Sequence, residues 1–210
     1  MSITIDVAIN AFVTLFVTID PPGQAAIFLA LTAGMVRRER SQVALLAVLT
    51  ATGILAMFMF AGAAILNALG VSLAAFRVAG GLLLFYTAFE MVFEKRQQRH
   101  KKSAKRAITI DDIKNVAIFP LAVPLIAGPG AISATILLSA QFSSLTEKLA
   151  LFAIIASVCL IVYLVLILSE FIERVIGDTG RNILTRLLGI LLAALSVQFV
   201  ADGILALAAG

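Results

Sequence analysis

Long apolar runs separated by short polar connections dominate the chain. No stretch alternates apolar and polar residues with period two, so the pattern predicts helices rather than strands. Runs of about 20 apolar residues with few charges are typical of helices that cross a membrane. The sequence therefore predicts an all-α polytopic membrane protein with six transmembrane helices, at residues 5–34, 43–67, 73–93, 113–142, 148–171 and 184–208.

Composition supports the membrane class. Of the 210 residues, 61% are hydrophobic and 13% are charged, about half of the 25% charged residues that soluble domains average. In lipid only helices and closed barrels satisfy all backbone hydrogen bonds, and the absence of period-two segments argues against a barrel. The residues Met1 to Asp6 carry no positive charge, so we expect the first run to be a span rather than a cleaved signal peptide.

The positive charges predict an orientation for the helices. Fourteen of the sixteen Lys and Arg residues fall in the connections after the first, third and fifth segments: Arg37, Arg38, Arg40, Lys95, Arg96, Arg99, Lys101, Lys102, Lys105, Arg106, Lys114, Arg174, Arg181 and Arg186. The positive-inside rule places these loops in the cytoplasm and both termini outside. We therefore expect a multi-pass protein of the bacterial inner membrane. Lys and Arg residues placed between apolar runs are typical of loops beside a lipid bilayer, so the positive charge does not indicate nucleic-acid binding.

Two landmarks repeat along the chain. Pro22-Gly23 recurs as Pro129-Gly130 after 107 positions, and Arg77 recurs as Arg186 after 109 positions, each Arg followed by a leucine-rich run. Because each half contains three spans, two copies must have opposite orientations in the membrane. The sequence thus predicts two inverted three-helix repeats, residues 1–94 and 113–210, joined by a basic cytoplasmic linker at 95–112. That linker either only sets orientation or also binds anionic lipid.

All five prolines lie in the first segment of a predicted repeat: Pro21, Pro22, Pro120, Pro124 and Pro129. The first segment, at 30 residues, would be about 45 Å long as a straight helix, against a hydrocarbon core of about 30 Å. A break near the middle of the membrane resolves the excess length. We therefore expect the first helix of each repeat to be broken, with non-helical backbone that is buried in protein or lines a cavity.

The two breaks supply the candidate substrate site. Asp20 is placed as the N-cap of a half-helix with Pro21 at its first position. Pro22 also lacks an N–H, so the amides of Gly23 and Gln24 point into the break. Gly128 takes the cap position in the second half and has no side chain, so the amides of Gly130 and Ala131 need another acceptor. A ligand carboxylate is a natural partner for such amides. The candidate substrate-binding residues are Asp20, Gly23, Gln24, Gly128, Gly130, Ala131 and Ser133.

Alternatives remain open at these positions. Asp20 either only caps its helix or also serves the site, and the glycines could serve close helix packing. Arg77 and Arg186 either extend to a membrane interface or pair with intramembrane acids or substrate. Glu90 lies near the basic loop and can pair with it. Gln198, four residues before Asp202 on one helical face, completes the candidates for coupling or gating, which are Asp20, Arg77, Glu90, Arg186 and Gln198.

Several of these motifs resemble the MarC family of membrane proteins. The matching stretches are Asp20-Pro21-Pro22-Gly23 with Ile27-Phe28-Leu29-Ala30-Leu31-Thr32, Pro124-Leu125-Ile126-Ala127-Gly128-Pro129-Gly130-Ala131-Ile132, Phe76-Arg77-Val78-Ala79-Gly80-Gly81, and Val197-Gln198-Phe199 with Asp202-Gly203. The resemblance implies a six-span bacterial inner-membrane protein of the LysE-like transporter group, some of whose members are assigned to small neutral amino acids. Gln24 and Ala26 depart from the Asn or Thr and the Pro usual in the family.

These observations predict a secondary transporter, an exporter or exchanger, of a small solute, most consistent with small neutral amino acids, working by alternating access between the inverted repeats. The alternatives are a channel or a non-transporting structural or lipid-interacting protein. An enzyme is not expected, because the only histidine, His100, lies in the basic linker and no Cys or His cluster suits metal or nucleophilic catalysis. No cofactor, metal or ATP-binding loop is predicted. A homo-oligomer is left open.

Overall fold

Helices make up all the regular structure in the part of the chain that the computed structural model describes, residues 5–93, 113–142 and 144–209. The helices are α1 (Ile5–Ile19), α2 (Pro21–Leu31), α3 (Arg37–Ala68), α4 (Leu73–Val92), α5 (Ile113–Val116), α6 (Pro129–Ser139), α7 (Leu145–Ile167) and α8 (Ser169–Ala208). Between α5 and α6, Ala117–Ile126 contains Pro120 and Pro124, and its backbone is extended rather than helical at Phe119 and Val123; we call it the proline segment. The all-α prediction is confirmed for these ranges, and the predicted linker at 95–112 lies outside them.

Five helical stretches within the described ranges are long and apolar enough to cross a membrane: Ile5–Leu31, Arg37–Ala68, Leu73–Val92, Leu145–Ile167 and Thr179–Ala208. A sixth candidate is the pair Ile113–Ile126 and Pro129–Ser139, whose two parts are bent by 58° relative to each other. The chain is thus a membrane protein with five or six candidate spans. The predicted break in the second repeat coincides with this bend.

Side chains cap the helices that start after short connections. The Ser72 hydroxyl accepts a hydrogen bond from the Ala75 amide at 3.1 Å and starts α4. Ser144 and Glu147 form a reciprocal capping box at the start of α7, with distances of 3.2 and 3.1 Å. Each cap satisfies amides that have no partner within the helix. Local chemistry therefore explains where these spans begin.

The last helix is longer than the sequence predicts. We expected the sixth span to begin near residue 184, with Arg181 in the preceding loop, but α8 begins at Ser169 and includes Arg181 as a buried residue. At Gly177 the backbone adopts φ 65° and ψ 177°, a conformation that glycine adopts without steric cost. The glycine lets the chain change direction between two helical parts, so the polar residues after it resume a helix rather than form a loop.

Small residues permit close contact between α4 and α8. Three glycines lie so close to the opposite helix that an added Cβ would be within 3.0 Å of a side chain there. The pairs are Gly203 with Val78, Gly81 with Val200, and Gly189 with Met91. Along these three contacts the residue number decreases on α8 as it increases on α4, so the two helices run antiparallel. Close backbone approach through glycine is the usual source of helix association in lipid, where the hydrophobic effect contributes little between helices.

Contacts between the two predicted repeats come in matching pairs. The contact of α2 with α8 corresponds to the contact of α6 with α4. In the same way, α3 contacts the proline segment and α6, and α7 contacts α1 and α2. The remaining large contacts, α4 with α8 and α3 with α7, join elements that hold the same place in each half. A two-fold relation between the halves would produce this exchange of partners.

We predict that Gly81→Ala destabilises the protein and that Gly53→Ala does not. The new Cβ at Gly81 would lie 2.7 Å from Val200 Cγ2 and 2.9 Å from the Ser196 carbonyl oxygen, whereas one at Gly53 meets no atom within 4 Å. Overpacking of this kind costs about 1–3 kcal/mol, while alanine in an open helix position is favourable. Thermal unfolding of the purified protein in detergent measures both variants. Equal stability of the two would contradict the proposed close contact.

Candidate functional site

The first break lies at Asp20, between α1 and α2. Asp20 has φ 57° and ψ 64°, the left-handed conformation, and its carboxylate accepts a hydrogen bond from the Gly23 amide at 3.2 Å. Asp is one of the few residues that tolerate this conformation, and it is also a preferred N-cap. The predicted cap is confirmed. A Cβ on Gly23 would lie 2.1 Å from Asp20 Oδ2, so only glycine fits beside the capping carboxylate.

The expectation of free amides at this first break is wrong. The Gly23 amide is occupied by Asp20 Oδ1, and the Gln24 amide donates to the Asp20 carbonyl oxygen at 3.2 Å. The aspartate thus satisfies both donors with its side chain and its own backbone. An anionic ligand therefore has no open donor among these two amides.

Gln24 joins the first break to the second. Its Nε2 donates to the Ile19 carbonyl oxygen at 2.9 Å and to the Leu125 carbonyl oxygen at 3.3 Å. Both carbonyls have lost their helical donors: the Gly23 amide has turned to Asp20, and residue 129, four positions after Leu125, is a proline without an N–H. One side-chain amide therefore satisfies two backbone acceptors that belong to different halves of the chain.

The second break lies at Gly128, between the proline segment and α6. Gly128 is the N-cap of α6 with φ −80° and ψ 171° and no side-chain cap, and a Cβ there would lie 2.5 Å from the Pro124 carbonyl oxygen. The amides of Gly130 and Ala131 have no hydrogen-bond partner within the described residues. Here, in contrast to the first break, the predicted open donors are present.

Other polar atoms near the breaks also lack partners. Gln24 Oε1 and Thr14 Oγ1 are buried and make no hydrogen bond within the described part of the chain. Thr14 lies one turn before Thr18, whose hydroxyl donates to the Thr14 carbonyl oxygen at 2.6 Å. A Cβ on Gly130 would approach Thr18 Cγ2 at 3.3 Å and Thr87 Oγ1 at 3.2 Å. α1, α4 and α6 therefore meet at the second break, next to two open amides.

α8 brings further polar groups to Asp20. The Thr185 hydroxyl donates to Asp20 Oδ1 at 3.4 Å. Arg181, one helical turn earlier, is 3% exposed and pairs with both oxygens of Glu173 at 2.6 Å. Burial of a guanidinium in a membrane protein is costly unless it is paired. A line of buried polar residues thus runs along α8 from Asp20 toward the start of that helix.

All seven residues of the predicted substrate site are buried. Asp20, Gln24, Ala131 and Ser133 are at most 4% exposed, and Gly23, Gly128 and Gly130 are buried as well. Ser133 lies on the α4 side of α6, where its Cβ would meet an added Cβ on Gly80 at 3.4 Å. All seven residues of the predicted substrate site therefore belong to the two broken spans and are enclosed in protein.

The predicted coupling residues other than Asp20 lie on the two closely packed helices α4 and α8. Arg77 is half-buried near the start of α4, and Arg186 is exposed on α8. Glu90 is buried in the last turn of α4. Gln198 is exposed and donates to Asp202 Oδ1 at 2.7 Å, which confirms that these two share a helical face.

Two polar cavities lie at opposite ends of the first span. The cavity that we call the arginine cavity has a volume of about 330 Å³ and is lined by residues that include Phe28, Arg37, Arg40, Ser169, Glu170 and Arg174. The acidic cavity, of about 310 Å³, is lined by residues that include Asp6, Asn10, Gln141, Gln198, Phe199 and Asp202. The breaks lie between these cavities, and none of the seven predicted substrate residues lines either one.

Sequence reasoning missed Thr14, Thr18, Arg181 and Thr185. The spacing of four residues between Thr14 and Thr18, and between Arg181 and Thr185, is a local signal that each pair shares a helical face. That signal does not show which faces are buried. Arg181 was assigned to a loop because the polar residues around it resemble a connection.

We predict that Gln24→Met lowers the free energy of unfolding by about 1–3 kcal/mol, because it removes the donor of the buried Leu125 carbonyl. Methionine preserves much of the glutamine's length and volume. The matched control is Gln42→Met on the exposed side of α3, which should have little effect. Thermal and chemical unfolding in detergent measure the free energy of unfolding of both variants. A similar decrease in both would show that the hydrogen bonds of Gln24 do not stabilise the protein.

The chain is similar to proteins of known sequence over nearly its full length. A family profile described as MarC family integral membrane protein matches residues 5–208. A UPF0056 membrane protein of Archaeoglobus fulgidus is 40% identical over 195 residues, which cover 92% of this chain and 90% of the relative. The UPF0056 membrane protein YhcE of Escherichia coli is 33% identical over 194 residues, which cover 92% of this chain and 89% of the relative. No solved structure matches the chain. The chain therefore belongs to the MarC family of integral membrane proteins.

Proposed function

We propose that the protein is a secondary transporter that binds a small neutral amino acid between its two broken helices. The observation that carries this proposal is the meeting of the breaks through Gln24, with buried polar groups left open around them: the amides of Gly130 and Ala131, Gln24 Oε1 and Thr14 Oγ1. An unsatisfied polar group away from water costs several kcal/mol. A polar ligand at this position would recover that cost.

The open groups suit the two ends of an amino acid. The amides of Gly130 and Ala131 lie at the positive end of α6, where a carboxylate is favoured by both hydrogen bonding and the helix dipole. Gln24 Oε1 is an acceptor and suits an ammonium group. The surrounding residues are small, with Gly130 and Ala131 on α6 and Ser133 one turn further along. Small neighbours favour a ligand with a short, uncharged side chain.

The arrangement of helices supports alternating access between two inverted repeats. The matching contacts of α2 with α8 and of α6 with α4 are those expected if each half packs against the other in the same way, and the antiparallel α4–α8 pair lies between them. The arginine cavity and the acidic cavity lie on either side of the breaks. Along α2, Phe28 of the arginine cavity is eight residues from Asp20, which corresponds to about 12 Å of helix.

Burial of the breaks favours a carrier over a channel. Asp20, Gln24 and Ala131 are each at most 3% exposed, whereas a channel needs a continuous aqueous path past its polar groups. A carrier exposes its site to one side at a time and can have a conformation in which it is closed. Asp20, an ionisable residue at a helix break within a span, is our candidate for proton coupling.

We further propose that the protein resides in the cytoplasmic membrane with its basic loops inside and its termini outside. Arg37 and Arg40 lie in the arginine cavity together with Arg174, so the loops after the first and fifth spans meet at one end of the molecule. Clustering of positive residues at one end agrees with the positive-inside rule.

Counterflow in proteoliposomes tests the transport proposal. Vesicles loaded with unlabelled glycine, alanine or serine should transiently accumulate the same labelled amino acid from outside, and unlabelled competitors should saturate the flux. Transport saturates because each molecule must bind before the protein changes conformation. Flux that rises linearly with concentration, or electrical conductance without saturation, would indicate a channel instead.

Asp20→Asn should abolish proton-driven uptake while the protein still folds and inserts. Asparagine is as good an N-cap as aspartate and tolerates the left-handed conformation, so the substitution removes the titratable group and keeps the local structure. Uptake driven by an imposed pH gradient in proteoliposomes measures the effect. Glu39→Gln, in the first turn of α3, is the matched control, and normal uptake by Asp20→Asn would refute the coupling role.

A further inference from the structure

We propose that the arginine cavity is a binding site for a phosphate group, separate from the transport site. The cavity lies where α2 ends, α3 begins and α7 passes into α8, and its volume of about 330 Å³ is large enough for a phosphate with further atoms attached. It shares no residue with the breaks at Asp20 and Gly128. The proposal therefore stands independently of the transport proposal.

The charge of the cavity favours an anion. Arg37, Arg40 and Arg174 contribute three guanidinium groups, and Glu170 is the one carboxylate among the lining residues. Glu170 pairs with Arg40, which also donates to the Thr32 carbonyl oxygen at 3.2 Å. Arg37 and Arg174 have no ion-pair or hydrogen-bond partner within the described ranges. Two guanidiniums are therefore available to an anion in the cavity.

A serine hydroxyl in the same cavity has no hydrogen-bond partner among the described residues. Ser169 lines the cavity, is 2% exposed, and makes no side-chain hydrogen bond within the part of the chain that the structure describes. It is also the first residue of α8, a helix whose N-cap, Leu168, offers no side-chain acceptor. This hydroxyl can donate a hydrogen bond to an anion in the cavity, and an anion at the start of a helix is stabilised by the helix dipole.

Phosphate fits these donors better than a carboxylate does. Two guanidinium groups and a hydroxyl offer more donors than the two oxygens of a carboxylate readily accept, and planar guanidinium groups bind phosphate through paired hydrogen bonds. The rest of the cavity is apolar and includes Phe28, Leu166 and Phe171. A polar anionic end and an apolar wall at the end of the spans suit the headgroup region of a phospholipid, although an inorganic phosphate ion has the same central chemistry.

The experiment measures binding of two probes to the purified full-length protein in detergent: sodium phosphate and a short-chain phosphatidylglycerol. Isothermal titration calorimetry gives Kd for each. We expect Arg37→Gln to weaken binding about tenfold and Ser169→Ala to weaken it about fivefold, because each removes a donor to a charged group. Binding of both probes would mean that the cavity accepts phosphate from water, and binding of phosphatidylglycerol alone would assign it to a lipid headgroup.

Arg38→Gln provides the matched control. Arg38 is the neighbour of Arg37, is also exposed and does not line the cavity, so the two variants change the net charge equally. The Kd of Arg38→Gln for each probe should stay within about twofold of that of the original protein, since this variant alters only the long-range attraction between the protein and the anion. Equal losses in Arg37→Gln and Arg38→Gln, unchanged binding in Ser169→Ala, or no binding of either probe would overturn the proposal. Unfolding temperatures of all three variants verify that each is folded.

Discussion

The hydrogen bonds of the Gln24 amide are the interaction on which the rest of the structure depends. A helix that breaks inside a membrane leaves carbonyl groups that water cannot reach. Here the Ile19 and Leu125 carbonyls, one from each half of the chain, both accept a hydrogen bond from the Gln24 side-chain amide. Because the two breaks must lie side by side for this to happen, the bridge also determines how the first spans of the two halves approach each other.

Close helix packing keeps the breaks away from lipid. The glycines that line the α4–α8 contact allow these helices to approach through their backbones, and α3 presents a stripe of small residues, Ala44, Ala47 and Ala51, that is completely buried. Such packing is the main source of stability when lipid surrounds the helices. The breaks are consequently enclosed by protein, where non-helical backbone is tolerated and where a polar ligand would meet groups that are already desolvated.

Two elements connect the middle of the protein with its ends. α2 runs from Asp20 to the arginine cavity, and α8 carries the buried polar residues Thr185 and Arg181 from the contact with Asp20 toward the same region. The Arg181–Glu173 pair spans the bend at Gly177. Because the same two helices reach the breaks and the cavity, a displacement of either helix would change the structure at both places.

The sequence by itself determined the features that depend on neighbouring residues. The helical class, the positions of the breaks at the prolines, the capping role of Asp20 and the pairing of Gln198 with Asp202 all follow from local geometry: proline lacks an N–H, aspartate caps amides, and residues four apart share a helical face. The start of the last helix was placed too late because the polar residues around Arg181 resemble a loop.

Only the tertiary structure decided which polar groups meet. Gln24 contacts a carbonyl 101 residues away, Arg181 is buried rather than in a loop, and the amides of Gly130 and Ala131 remain open among the described residues. These outcomes depend on which helix faces pack together, and that choice is set by many small contacts summed over the whole bundle. No local pattern contains that sum, so the sequence could place the breaks but not their partners.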